Sequence, residues 1–331
     1  MLLETSLDKD IKLYRSMTFA ESTQRTYQSH RQAYLAFCSY MGYSPVPAST
    51  GILCRYAAVL ARTHKYSSIK QYINIIRHLH LEWDLPNPLQ NNSHLDAVLK
   101  GIRRALGDGV ARKEPITPDI LLDILSYLDL NSPDHANVWA ASLCMFFGML
   151  RRSNVLPTSK TSFESSRHLR RKDISFAGDG IIISIRWSKT IQYHQRILQL
   201  PLPRLPGHPL CPLQAVFHAF RLTSFADPDG PAFVSPNSEC NQPLTVDKFL
   251  VIIRRAITAS GRISERYAGH SFRRGGASWA HHSGVPIDTI RQIGDWKSNA
   301  YTKYIYETPD SLSNHMSRVG SNIQANVQIS N

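Results

Sequence analysis

The stretch from Gly269 to Tyr306, GHSFRRGGASWAHHSGVPIDTIRQIGDWKSNAYTKYIY, gathers residue types able to handle a phosphodiester. His270 and Arg273 stand three apart, which puts both on one face of a helix, within reach of one ligand atom. Tyr304 follows Trp296 by eight residues, in a second helical segment set off by the break at Gly294 and Asp295. A phenol presented beside cationic donors is the arrangement of a covalent nucleophile on a phosphate ester. Attack at phosphorus builds negative charge on the non-bridging oxygens. Planar guanidiniums suit that charge, because each donates hydrogen bonds in fixed geometry and none loses its own charge. His270 can hydrogen-bond a phosphate oxygen or take the phenolic proton. Trp296 has an indole donor only, so it can orient a phosphate or pack the tyrosine segment but moves no proton.

In this order, His270, Arg273, Trp296 and Tyr304 resemble the C-terminal half of the active site of the tyrosine recombinases, the phage-integrase family. The stretch is closer still to the recombinases of crypton, DIRS and Ngaro mobile elements, where HSFRRGGA and a Trp with a Tyr-Ile pair eight residues on recur. Many bacterial members place the tyrosine one residue later, so Tyr301 and Tyr306 stand as rivals to Tyr304. The mobile-element branch has a basic residue before the Trp, where this chain has Asp295, a change expected to weaken a local phosphate contact. The resemblance implies a first arginine after a buried helix, Arg151 in GMLRRSN, with its neighbour Arg152 as the rival. Asn154 stands where the family often has an acid, a difference that the crypton-like RRSN variant covers. The resemblance also implies a hairpin lysine, Lys189 in RWSKT, at the end of a second strand and entering the minor groove when DNA is bound. Its pKa, lowered by neighbouring cations, would suit it to protonate the 5′-oxygen leaving group. The implied product is a 3′-phosphotyrosyl link with a free 5′-hydroxyl. That ester keeps the bond energy, so rejoining needs no ATP and no metal, and no cofactor is expected. The sequence carries no Walker loop, clustered acidic site or Cys/His zinc spacing.

The elements that must position these groups can be read from periodicity. Residues 1–16 have no strong period and are expected to form a flexible arm. Residues 17–106 carry four helical patterns. In the first, from Ser22, Tyr27, Tyr34, Leu35 and Cys38 share a face, with Arg25, His30 and Arg31 elsewhere. The second starts at Ser49 and runs through Ile52, Tyr56, Val59 and Leu60. The third carries Ile69, Tyr72, Ile73, Ile76 and Leu79, and the fourth spans His94 to Leu106. This small bundle with basic outer faces is similar to the family's core-binding, SAM-like DNA-binding domain. Residues 107–115 read as a linker, and 116–307 as a catalytic domain of the tyrosine-recombinase type. In the latter, Thr117 and Pro118 open a helix, a nearly all-apolar helix from Val138 to Leu150 lies at the centre, and Asp173–Phe176, Ile181–Lys189 and Arg196–Leu200 make an antiparallel three-stranded sheet. Helical pattern resumes at Pro212 and at Thr245. Residues 308–331 read as a C-terminal tail, whose docking on a neighbouring protomer the sequence leaves open. The expected fold class is mainly α with a small antiparallel β-sheet.

Composition bounds the partners. The 331 residues carry 38 Lys and Arg against 25 Asp and Glu, a formal net charge of +13 that points to a polyanion. Arg25, Arg31, Lys70, Arg103, Arg104, Arg112, Lys113, Arg152 and Arg274 are the candidate DNA-binding residues beside the catalytic set. Five cysteines without a C-x-x-C pair read as free thiols in a reducing compartment, and no apolar run reaches membrane-spanning length. The adjacent His281 and His282 face different ways on a helix and read as structural rather than as metal ligands. The expected partner is double-stranded DNA, bound by a homo-oligomer: a dimer on a site and a tetramer in synapsis, with no membrane. The location follows the DNA, nuclear in a eukaryote and otherwise cytoplasmic. The reading is therefore a site-specific recombinase or integrase of a mobile element. Its rivals are a domesticated, non-cleaving DNA-binding protein on the same fold and an enzyme like the type IB topoisomerases. RNA binding has no stacking-aromatic strand motif to support it.

Overall fold

The structure, a computed structural model, describes residues 2–109, 112–193, 195–236 and 241–307, together with residues 313, 316, 317 and 321. The tail expected over 308–331 lies otherwise outside the described residues, as does Cys240. The chain divides into two compact units, residues 1–111 and 112–331.

The first unit is helical. Where an arm was expected, α1 (Leu2–Ser16) is a helix. Leu7, Ile11 and Tyr14 recur four and three residues apart, a stripe that intervening charged residues dilute, and all three stay exposed. Then come α2 (Glu21–Met41), α3 (Thr50–Ala61), α4 (Tyr66–Glu82) and α5 (Ser93–Leu106). Their shared core holds Tyr34, Phe37, Tyr56, Leu60, Ile69, Ile73, Ile76, Leu79 and Leu95. On α2 the inward face is His30, Tyr34, Phe37 and Cys38. Leu35, expected inward, is exposed, and so is Val59 on α3, whereas His30 is buried with its ring 3.9 Å from that of Tyr72. Ser49 caps α3 and Asn92 caps α5, each side chain accepting from a backbone N–H of the first turn. His80 ties the loop before α3 to α4 by accepting from Ala48 N at 3.0 Å, while its Nδ1 lies 2.8 Å from the Ile76 carbonyl.

The second unit begins inside the expected linker. Lys113 donates to the Glu265 carbonyl, Glu114 N to the Arg266 carbonyl and Ile116 N to the Ser271 carbonyl, which binds residues 113–116 to this unit. Thr117 caps α6 (Pro118–Tyr127). The central helix α7 (Pro133–Phe147) is buried almost all round, but it starts before Val138 and ends before Leu150. The early stop reflects Gly148 and then Met149, whose φ of 46° is left-handed and cannot continue a helix. The one-turn α8 (Arg152–Val155) follows. Strands β1 (Ile174–Ala177), β2 (Gly180–Ile185) and β3 (Leu198–Pro203) form an antiparallel sheet in that order. Strand β2 stops four residues short of Lys189, so the lysine sits on the hairpin turn and not at a strand end. Helix α9 (Pro212–Leu222) and the short pair β4 (Val234–Pro236) and β5 (Asn241–Pro243) precede α10 (Val246–Ala259). The β4–β5 pair escapes periodicity, since three-residue strands are too short to show alternation. The last elements are α11 (Gly269–His282), α12 (Ile287–Ile293) and a 3₁₀ turn over Asn299–Lys303.

Helix α11 packs against α7, and its glycines set the distance. A Cβ on Gly275 would come within 1.8 Å of the Ile116 carbonyl oxygen, and one on Gly276 within 1.9 Å of the Phe146 carbonyl oxygen. The Gly-Gly pair lets the helix that carries His270 and Arg273 lie directly on the backbone leading to Arg151.

Candidate active site

The site is built around Arg273, only 2% exposed. Its two terminal nitrogens donate to the carbonyls of Met149 and Gly294, the latter at 2.5 Å. Both carbonyls sit at irregular backbone: Met149 itself has φ 46°, and Asp295, after Gly294, has φ 52°. Non-glycine residues held in this region cost free energy, and such strain concentrates at functional sites. The Arg273 guanidinium carbon lies 4.1 Å from the Trp296 ring centre and 5.0 Å from that of Tyr304, and these two rings are 5.1 Å apart. Burial, then the charge of Arg151, pushes the Arg273 pKa down, while the Tyr304 hydroxyl and the Asp295 carboxylate oppose them. Arg273 nonetheless stays a cation, since two carbonyls and two aromatic faces hold it.

Arg151 immediately precedes the short helix α8 and is half-buried. Arg152 leans across Gly269, where a Cβ would fall 2.5 Å from its Cδ. The structure thus brings both arginines to the start of α11, and Arg151 is the one that presses on Arg273. His270 exposes much of its ring, with its centre 6.4 Å from that of Tyr304. Desolvation by the site wall, then the charges of Arg152, Arg273 and Arg151, hold its pKa below the ordinary imidazole value.

Trp296 is buried, and among the described residues its Nε1–H has no acceptor; Arg273 Nε–H likewise has none there. Gly294 makes room for the indole, because a Cβ there would come within 1.8 Å of the ring. Tyr304 closes the 3₁₀ turn and does not lie within a helix, as its spacing suggested. Ser278 of α11 fixes this segment by donating to the Tyr304 carbonyl at 3.2 Å and accepting from Tyr306 N at 2.9 Å. The rival tyrosines face other cations: Arg291 lies over Tyr301 and Arg274 over Tyr306. Tyr304 is the tyrosine that the fold sets against Arg273, Trp296 and His270.

Lys189 is exposed at the tip of the turn closed by Ser188 and Ile191. Asn154 of α8 holds the stem of that hairpin by donating to the Trp187 carbonyl at 2.8 Å. Asp295, expected to weaken a phosphate contact, is instead buried and turned toward the hairpin, where Ser188, Thr190 and Arg196 donate to it. Sequence reasoning missed this role, because the partners lie 107, 105 and 99 residues away and no local pattern links them.

Of the candidate DNA-binding residues, Arg25, Lys70, Arg103, Arg104, Arg112 and Lys113 are exposed. Arg25 pairs with Glu21, and Arg31, half-exposed, pairs with Glu82 at 2.7 Å. Arg103 pairs with Asp108 at 2.7 Å and lies with Lys70 at 5.8 Å from the Tyr66 ring centre. Arg274 departs from its expected place. It is 7% exposed and donates to the Lys113 carbonyl, because the step from Arg273 turns it into the seam where residues 113–116 cross α11. His281 and His282 both lie against Glu307, at 3.0 and 3.3 Å. Among the described residues there is no group of acidic, His or Cys side chains able to hold a metal ion, and no helix long and apolar enough to cross a membrane.

No family model matches the chain. An integrase/recombinase xerD homolog from Selenomonas ruminantium is 24% identical over 307 residues, which is 91% of this chain and 86% of the relative. Among solved structures, the Tn1549 transposon integrase in complex with transposon right end DNA aligns with a TM-score of 0.63 at 14% identity, over 94% of this chain and 98% of that one. A lambda integrase dimer bound to a COC′ core site aligns with a TM-score of 0.60 at 15% identity, over 92% of this chain and 96% of that one. A lambda integrase tetramer bound to a Holliday junction gives 0.58 at 16% identity, over 92% and 77%. The chain has this fold: mostly helical with a small antiparallel sheet, matching the lambda-integrase-like catalytic fold.

Proposed function

We propose that this chain is a tyrosine recombinase that cleaves and rejoins duplex DNA at specific sites, working as the integrase of a mobile element. The observation that carries the reading is the packing of Tyr304 and Trp296 on the buried Arg273 guanidinium, with Arg151 and His270 beside it. Two carbonyls take one N–H from each terminal nitrogen of Arg273, and its Nε–H, like the indole N–H of Trp296, has no partner among the described residues, so donors remain for phosphate oxygens.

In the proposed reaction the Tyr304 oxygen attacks a backbone phosphorus, and its proton passes to neutral His270. Arg273 and Arg151 grip the non-bridging oxygens, and Trp296 donates to one of them. The bond from phosphorus to the 5′ oxygen breaks, and that oxygen takes a proton from Lys189. The 3′-phosphotyrosyl ester keeps the energy of the broken bond, so the reverse attack by a 5′-hydroxyl rejoins the strand without ATP, metal or other cofactor. The mobile-element context rests on the likeness of HSFRRGGA and of the Trp-to-Tyr-Ile spacing to crypton, DIRS and Ngaro recombinases, and on the net charge suited to DNA. By analogy with the dimeric and tetrameric lambda integrase complexes, one protomer would occupy each half-site and two dimers would form the synapse. The enzyme would work where the host keeps its DNA, in the nucleus of a eukaryote and otherwise in the cytoplasm.

The test is a nicked duplex whose half-site has been selected from a randomised library by binding to the protein, incubated with EDTA and without nucleotide. A denaturation-resistant protein–DNA adduct is expected, and Tyr304→Phe removes it while leaving DNA binding unchanged. Binding without any adduct would favour a non-cleaving DNA-binding protein, and relaxation of supercoils without site preference would favour topoisomerase-like activity.

A further inference from the structure

Asp295 is a buried carboxylate with three protein donors and no phosphate-facing role. Ser188 Oγ donates to its Oδ2 at 2.8 Å, Thr190 Oγ1 donates to the same oxygen, and Arg196 pairs with Oδ1. Ser188 and Thr190 are the two neighbours of Lys189 in the chain. Ser188 is itself buried at 2% exposure, and its hydroxyl also accepts from Thr190 N at 3.1 Å. The carboxylate therefore grips the turn on both sides of the lysine and again at Arg196, farther along the same hairpin. At the other end of the contact, Gly294 accepts from Arg273 and Trp296 stacks on it. Asp295 can occupy this corner because aspartate tolerates the left-handed backbone that the corner needs.

We propose that Asp295 is a positioning residue for the leaving-group acid: its buried carboxylate clamps the Lys189 turn to the same segment that holds Arg273. Two consecutive residues then fix two parts of the machinery, with Gly294 holding the phosphate-gripping arginine and Asp295 the acid turn. The turn is held in this place by protein contacts alone, before any DNA arrives, whereas a free surface loop would have to be ordered by the substrate. A buried carboxylate left without its donors is costly, and so are donors left without it, so the clamp closes as a unit. This inference rests on the recombinase reading for the role of Lys189, but the clamp itself is independent of it.

The experiment uses the full chain and the nicked duplex described above, made with either a 5′ oxygen or a 5′-bridging sulfur at the scissile phosphate. A thiolate leaves without a proton, so sulfur bypasses the acid. With the oxygen substrate, Asp295→Ala is expected to slow adduct formation roughly ten- to hundred-fold, part of the full loss on removing a general acid. Lys189→Ala is expected to slow it at least as much. With sulfur both variants return to within about three-fold of the parent, and Lys189→Ala with Asp295→Ala together is no slower than Lys189→Ala alone. The isosteric Asp295→Asn, which guards against misfolding, shows a smaller loss with the same rescue. A defect that sulfur does not rescue, or that adds to Lys189→Ala, overturns the proposal. In parallel, hydrogen exchange of the DNA-free protein reads the Ser188, Thr190 and Ile191 amides, which close the turn. Faster exchange there in Asp295→Ala supports the clamp, and unchanged exchange overturns it. Should the parent protein form no adduct, the recombinase reading fails while the exchange arm still decides the clamp.

Discussion

At the scale of single residues, the proposed reaction assigns charge-holding and proton transfer to different groups of the site. Arg273 is locked by two carbonyls and two rings and stays cationic, while His270, crowded by three guanidiniums, is kept neutral to a lower pH than a free imidazole. This predicts a pH dependence. If neutral His270 takes the Tyr304 proton, adduct formation stays level as pH falls to the ordinary value of 6.5 and declines only below it, through the lowered pKa of the folded enzyme. His270→Gln lowers the rate and removes that acid limb; a limb that persists in the variant would assign it to another group. The linkage runs the same way for stability. Between the lowered pKa and 6.5 the unfolded chain binds a proton that the folded chain does not, so acidification through 6.5 favours unfolding. His270 and Arg273 were legible in the sequence because they stand three apart on one helix, and Trp296 and Tyr304 because they follow in order within the same stretch, although Tyr304 does not share a helix as its spacing suggested. The choices among neighbours were not. Arg151 against Arg152, and Tyr304 against Tyr301 and Tyr306, turn on which side chain reaches Arg273, and adjacent residues leave identical patterns. The bonds of Asp295 were hidden for a related reason: it was weighed only against the basic residue that the mobile-element branch has there, while its partners come from a hairpin about a hundred residues away.

At the scale of elements, backbone contact rather than apolar pattern decides where the arginines lie. Helix α11 rests on the carbonyls of Ile116 and Phe146 through Gly275 and Gly276. Gly276→Ala puts a methyl group on a backbone oxygen that cannot withdraw, and is expected to cost about 1–3 kcal/mol in thermal unfolding, as overpacked cores do. Gly101, in the exposed helix α5 with nothing near its missing Cβ, provides the control: Gly101→Ala is expected to stabilise by about 0.5–1 kcal/mol. Equal effects at the two positions would mean that α11 can shift freely. Helices α2 to α5 of the first unit, the caps at Ser49 and Thr117 and the three-stranded sheet were readable because each follows from a local period or a local hydrogen bond. The end of α7 was not, since an unbroken apolar run hides the left-handed turn at Met149. Nor was α1, whose stripe has no core to bury it.

At the scale of the whole molecule, two units with separate cores share a net charge of +13, and the second unit carries every residue of the candidate site. The fold is that of integrases seen on DNA, yet sequence identity to those structures is 14–16%, so the likeness is one of architecture and the chemistry must be judged on the site itself. Mainly helical architecture with a small sheet was legible from periodicity; the boundary between units was less so, because residues 113–115 look like a linker until their partners on the second unit are known. The central claim is that one phenol becomes joined to the 3′ end of a cut strand. Its most direct measurement is protease digestion of the trapped adduct followed by mass spectrometry of the nucleotide-bearing peptide. A single modified residue, Tyr304, is expected, linked to a 3′-phosphate with a free 5′-hydroxyl on the released strand. A link at Tyr301 or Tyr306, or to a 5′-phosphate, would contradict it.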